Sequence, residues 1–134
     1  MPVSPTSSHQ RASLAGRRIL VVEDEYFLAD DIGNTLRVLG ATVAGPVGHI
    51  EDALKILHDG SNLDAAVLDV NIRNETIFPI ARQLRARHVP FMFTTGYDKV
   101  SVEPEFQDVL FWEKPIDIAA MAQELITLIG SPRL

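Results

Sequence analysis

The sequence predicts an α/β domain built on a five-stranded parallel sheet, doubly wound with helices on both faces. Three observations predict it. Short apolar runs alternate with longer stretches whose apolar residues recur at helical spacing. Runs such as Ile19-Leu20-Val21-Val22 and Ala65-Ala66-Val67-Leu68 are continuously apolar, as strands covered on both faces must be. Strands alternating with helices require right-handed crossovers, and five such units fit the strand order 2-1-3-4-5, with ligands at the carboxyl ends of the strands.

Taken in order, residues 1–16 carry two prolines and four serines with almost no aliphatic pattern. They bury too little to offset their ordering entropy and are read as a flexible tail before a domain at 17–134. The first strand, Ile19–Val22, stops at Glu23-Asp24-Glu25. Phe27, Leu28, Ile32, Leu36 and Leu39 then repeat at helical spacing, with Gly40 as the stop. Thr42–Gly45 is a weaker strand, and Ile50, Ala53, Leu54 and Leu57 mark a second helix. Ala65–Leu68 is a strand ending in Asp69, followed by a helix through Ile80, Ala81, Leu84 and Ala86. Phe91–Thr95 is the fourth strand. Asp98, Lys99, Pro104 and Asp108 break any long stripe after it, so the fourth helix is expected to be short or irregular. Val109–Trp112 is the fifth strand, and Ile118, Met121, Ala122, Leu125 and Leu128 mark the closing helix.

Composition narrows the function. The chain has 134 residues, 46% of them hydrophobic, and 18 acidic against 12 basic side chains, a net charge of −6. One domain of this length builds a core without staples, and its acidity argues against direct contact with nucleic acid. With no cysteine, disulfide frameworks, thiolate metal sites and thiol catalysis are excluded. No apolar run reaches the roughly 18 residues of a membrane span, and the first 16 residues do not form a signal peptide. The expectation is a cytoplasmic protein without membrane insertion, too short for a separate output domain. His9, His49, His58 and His88 show no ligand spacing and are expected at the surface.

The fold brings four polar strand ends to one rim. These are Glu23-Asp24, Asp69, Thr95-Gly96 and Glu113-Lys114-Pro115. Any one of these acids is an ordinary cap or turn residue by itself. Three carboxylates gathered together repel unless a cation intervenes, and oxygen-only donors favour a hard ion such as Mg²⁺. Lys114 adds a charge suited to a phosphoryl oxygen, and Thr95 adds a hydroxyl donor.

Val-Val-Glu-Asp-Glu, Val-Leu-Asp-Val-Asn, Phe-Thr-Thr-Gly and Glu-Lys-Pro, in that order, resemble the receiver domain of two-component response regulators across roughly residues 17–130. The fold implied is the flavodoxin-like, CheY-like one. By this resemblance Asp69 is the phosphoacceptor, Glu23 and Asp24 are the acidic pair, and the backbone carbonyl of Asn71 completes a Mg²⁺ shell. Thr95 and Lys114 are the switch hydroxyl and the family lysine, and Phe111 holds the aromatic switch position. Thr95 is preferred to Thr94 because the family hydroxyl precedes a small residue, here Gly96. Phe-Thr-Thr-Gly-Tyr also resembles an alphaproteobacterial subgroup with a Phe-Ala-Thr-Gly-type motif. Tyr97 is expected beside the site, shielding the acyl phosphate from water.

The function implied is phosphoryl transfer from a sensor histidine kinase or histidine phosphotransfer protein onto Asp69. The signal then passes through contact with a protein effector; this is not an enzyme in the ordinary sense. A phosphate shuttle or sink to a histidine phosphotransfer protein is the alternative output. A small Mg²⁺-dependent phosphatase with an aspartate nucleophile is the alternative from another class, but such enzymes want a second Asp where this chain has Asn71. The loop after Asp69 departs from the family, reading Val-Asn-Ile-Arg-Asn-Glu without Met-Pro and Gly.

Overall fold

A computed structural model describes residues 14–96 and 102–130. β1 (Arg18–Val22), α1 (Tyr26–Val38), β2 (Thr42–Val47), α2 (Ile50–Leu57) and β3 (Ala65–Asp69) come first. They are followed by two short strands, β4 (Asn71–Ile72) and β5 (Glu75–Thr76), and then α3 (Phe78–Ala86), β6 (Phe91–Thr95), β7 (Phe111–Glu113) and α4 (Ile118–Gly130). The main sheet is parallel with order β2-β1-β3-β6-β7. Leaving aside the separate antiparallel β4–β5 pair, this is the expected 2-1-3-4-5 arrangement.

The three inner strands explain the continuous apolar runs. β3 and β6 are buried at every position, and β1 at four of five. Alternate residues serve two cores. Ile19, Val21, Val67 and Met92 pack with Ile32 and Leu36 of α1 and with Met121, Ala122 and Leu125 of α4. Leu20, Val22, Leu68 and Phe93 pack with Ala53 and Leu57 of α2 and with Ile80, Ala81 and Leu84 of α3. No helix among the described residues is long and apolar enough to cross a membrane.

The described residues depart from the sequence reading in several places, among them β2, which runs on from Gly45 to Val47. Packing begins before Arg17, because Leu14 is fully buried and its carbonyl accepts the Arg17 N–H at 3.0 Å. Residues 14–16 thus pack with the domain, while residues 1–13 lie outside the described set. The turn at 14–16 sits against the end of α1. Gly40 there has φ +100, and a Cβ on it would lie 2.9 Å from the Ala15 Cα. The fifth strand is shifted, running from Phe111 to Glu113 instead of Val109 to Trp112. Within the third crossover, where the sequence predicts a loop, β4 and β5 form a hairpin.

The region of the fourth helix is described from residue 102 onward. Its described part is a single 3₁₀ turn, Pro104–Phe106. Phe106 is fully buried, stacked on Phe78 at 5.4 Å and edge-on to Phe93 at 5.7 Å. Two arginines of α3 hold this turn. Arg82 pairs with Glu103 and Glu105; Arg85 donates to the Glu105 carbonyl at 2.7 Å and pairs with Asp108 at 3.3 Å. Both guanidinium groups lie over the Phe106 ring. Phe106 thus anchors this turn, because ring burial and cation–π contact concentrate energy in few residues.

Candidate functional site

The carboxyl ends of β1, β3, β6 and β7 meet at one rim, and backbone bonds fix their relative heights. The Glu23 amide donates to the Val47 carbonyl at 2.9 Å, the Val70 amide to Thr94 at 3.0 Å and the Lys114 amide to Thr95 at 2.8 Å. The residue that ends or follows each strand must therefore face the same space. A cavity of about 190 Å³ lies there, lined by Asp24, Asp69, Val70, Asn71, Thr95, Gly96 and Lys114.

Lys114 bridges the acids. Its Nζ lies 2.8 Å from Asp69 Oδ2, 3.1 Å from Glu23 Oε2 and 3.6 Å from Glu25 Oε1. The Lys114–Pro115 peptide is cis. Burial alone would lower the Lys114 pKa; the Asp69 hydrogen bond and the charges of Glu23 and Asp69 outweigh it, so the net displacement is upward and the ammonium stays charged.

Glu23 is the strained member. It is 3% exposed. Its Oε2 accepts the Glu25 amide at 3.0 Å, at the start of α1, but its Oε1 is buried without a hydrogen-bond partner. Burial, then the neighbouring charge of Asp69, raises its pKa from 4.5 to about 8, against the lowering pull of the Glu25 amide and Lys114. Asp24 is half-buried, and its Oδ2 accepts the Arg73 amide at 3.0 Å. Asp69 is buried, with Oδ1 accepting the Asn71 amide at 3.1 Å.

One carboxylate oxygen each from Glu23, Asp24 and Asp69 lies within 4.8 Å of the other two. Three acids opposed by one ammonium leave negative charge in excess. The unpartnered Glu23 oxygen and the all-oxygen donor set fit a hard divalent cation such as Mg²⁺.

Thr94 and Thr95 separate cleanly. Thr95 lines the cavity and its hydroxyl donates to the Gly96 carbonyl at 3.0 Å. Thr94 is buried with an unpartnered hydroxyl and does not line the cavity. Phe111 is half-buried, 5.4 Å from the Phe93 ring at an interplanar angle of 32°. Tyr97 lies outside the described residues. His49, His58 and His88 are exposed. Two participants escaped the sequence reading. Glu25 was visible in the Glu-Asp-Glu run but had no assigned role. Arg73 lies 49 positions from Asp24, beyond any local pattern; the only clue was Arg-Asn in an unusual loop.

No family model matches the sequence, and no curated protein matches it. Solved structures do. SdrG from Sphingomonas melonis Fr1 is 39% identical, with a TM-score of 0.74 over 87% of this chain and 98% of that one. The receiver domain from the hybrid histidine kinase CckA is 28% identical, with a TM-score of 0.70 over 84% and 99%. A response regulator receiver protein from Sinorhizobium medicae WSM419, at 24% identity and a TM-score of 0.73 over 86% and 95%, matches in fold. A five-stranded parallel sheet in this order, an acidic rim bridged by one lysine, and these similarities lead to one conclusion: the chain belongs to the response regulator receiver domains, signalling modules of phosphorelays.

Proposed function

We propose that Asp69 accepts a phosphoryl group from a phosphohistidine of a sensor kinase or histidine phosphotransfer protein, in a Mg²⁺-dependent reaction, and that the modified domain signals by protein contact. The observation that carries this reading is the Lys114 ammonium, held within hydrogen-bond distance of both Asp69 and Glu23 at a rim that Thr95 shares.

Glu23, Asp24 and Asp69, with the Asn71 carbonyl, would hold the metal. When bound, Mg²⁺ supplies charge neutralisation and screens the transferring group. The chain's own residues do the rest. Asp69 attacks phosphorus, a new P–O bond forms, the P–N bond breaks, and the electron pair leaves on the imidazole. Asn71 fixes the Asp69 carboxylate through its amide, which orients the nucleophile. Lys114 turns from the carboxylate to a phosphoryl oxygen. The Thr95 hydroxyl exchanges its Gly96 carbonyl for a second phosphoryl oxygen. Phe111, half-buried beside Phe93, is the group whose packing answers that movement, so a local charge change biases a two-state element.

Asn71, where an aspartate-nucleophile phosphatase would want an acid, speaks for a phosphoacceptor. Tyr97 is assigned the shielding of the acyl phosphate, and Tyr97→Ala should hasten dephosphorylation.

Beryllofluoride with Mg²⁺ tests the reading. SdrG has been solved in a BeF₃-activated conformation, which supports the choice of probe. Amide resonances around Asp69, Thr95 and Lys114 should shift in the wild type and stay still in Asp69→Ala. No response in the wild type would overturn it. Phosphotransfer measured in both directions separates a terminal effector from a shuttle, which returns phosphate to the donor at a comparable rate.

A further inference from the structure

We infer that Arg73 is a positioning residue for Asp24. Its side chain anchors the β4–β5 turn so that its own amide holds the carboxylate in one orientation. The inference rests on the reading of Asp24 as a metal ligand.

Three contacts carry it. The Arg73 Nε donates to the Gly48 carbonyl at 3.0 Å. The Arg73 amide donates to Asp24 Oδ2 at 3.0 Å. Gly48 in turn lies against Asp24: a Cβ at position 48 would stand 3.3 Å from the Asp24 Cα and 3.5 Å from the Glu23 carbonyl. The end of β1, the loop after β2 and the hairpin after β3 thus form a closed triangle around one carboxylate.

The hairpin is shaped to deliver that amide. Arg73 and Asn74 have φ of 49° and 67°, the paired positive values of a tight two-residue hairpin turn. Arginine pays a steric cost there that glycine would not. Glycine would relieve the backbone and lose the anchor. Among the described residues, the bond to Gly48 is what the long side chain contributes at this position.

A carboxylate with one oxygen held is restricted in rotation, so its other oxygen keeps a fixed bearing toward Glu23 and Asp69. Hydrogen-bonded partners of metal ligands act in this way, and their loss costs about 10- to 100-fold in metal affinity. Arg73 is exposed, so the lower figure applies. The opposing expectation has the opposite sign. If the guanidinium acted by charge alone, it would repel a cation, and removing it would tighten Mg²⁺ binding.

The test is Arg73→Ala in the full chain, since alanine shares the backbone cost of positive φ and an exposed side chain is not needed for folding. Two quantities are read: Mg²⁺ affinity by titration, and hydrogen exchange of the residue-73 amide in metal-free protein. Anchoring predicts affinity weaker by about tenfold and exchange faster by a similar factor. Unchanged exchange overturns the inference whatever the metal does. Faster exchange with equal or tighter Mg²⁺ binding overturns it as well. If the wild type binds no Mg²⁺, the proposed function fails instead, and exchange alone decides whether Arg73 anchors the turn.

Discussion

Replacing Glu23 with glutamine removes a charge that the folded chain holds unfavourably. The glutamine keeps an oxygen for the Glu25 amide but no longer confronts Asp69 in a buried position. In the wild type the folded-state pKa stands at about 8 against an ordinary 4.5, so on raising the pH the unfolded chain releases this proton first. The glutamate therefore contributes no penalty below about pH 4.5, costs stability progressively as pH rises, and reaches its full penalty above about pH 8. At about 1.4 kcal/mol for each pH unit, the displacement sets a ceiling near 5 kcal/mol. The pull of Lys114 is already contained in that displacement; water entering the rim relieves part of the rest, so about 2–4 kcal/mol is the expected gain for Glu23→Gln at pH 8. The assay is urea unfolding in EDTA from pH 4.5 to 8.5, with the difference between the two proteins plotted against pH. A difference that stays flat across that interval, or shrinks as pH rises, would refute the reasoning. If the folded cluster holds Mg²⁺ as proposed, adding the ion at pH 8 should stabilise the wild type more than the variant, because the unfolded chain has no such cluster.

Two further predictions concern packing. Phe106→Ala should cost about 3–5 kcal/mol, read as a lowered urea midpoint, since the ring is fully buried among Phe78, Phe91 and Phe93. A cost under about 1 kcal/mol would mean that the 3₁₀ turn is no anchor. Thr94→Val should be neutral or stabilising by up to about 1 kcal/mol, because it replaces a buried unpartnered hydroxyl with a methyl group. Thr95→Val should leave beryllofluoride binding intact while abolishing the resonance shifts around Phe111. Identical behaviour of the two variants would contradict the separation of the threonines.

The sheet was legible because burial writes itself into composition. Strands with both faces covered must be largely apolar, so Ile19–Val22, Ala65–Leu68 and the Phe91-Met92-Phe93 start of the fourth strand stood out. Edge strands obey no such demand, and apolar Val109 and Leu110 drew the fifth strand two residues too early. The β4–β5 hairpin was invisible to periodicity, since two-residue strands hold a single repeat of any pattern. Its Arg-Asn turn was a fair local signal that went unread. Leu14 is the only large aliphatic residue between Val3 and Ile19, and one side chain cannot form a pattern. The acids of the site were legible as abrupt ends to apolar runs. Their energetic inequality was not: only the surroundings of Glu23 show that it, rather than Asp24, carries the unsatisfied oxygen. Contacts across 49 residues, such as Arg73 with Asp24, exist only after folding.

The hairpin after β3 bears on the kinetics of encounter. A loop that is disordered until a donor docks subtracts its ordering entropy from the affinity and slows productive association. Here the segment is already paired through Asn71–Thr76 and Ile72–Glu75, and its tip is tied back through Arg73. The wall beside Asp69 is thus preformed in the free chain. For a phosphoryl donor that docks on that side, a preformed wall predicts that differences among donors register in dissociation rates more than in association rates.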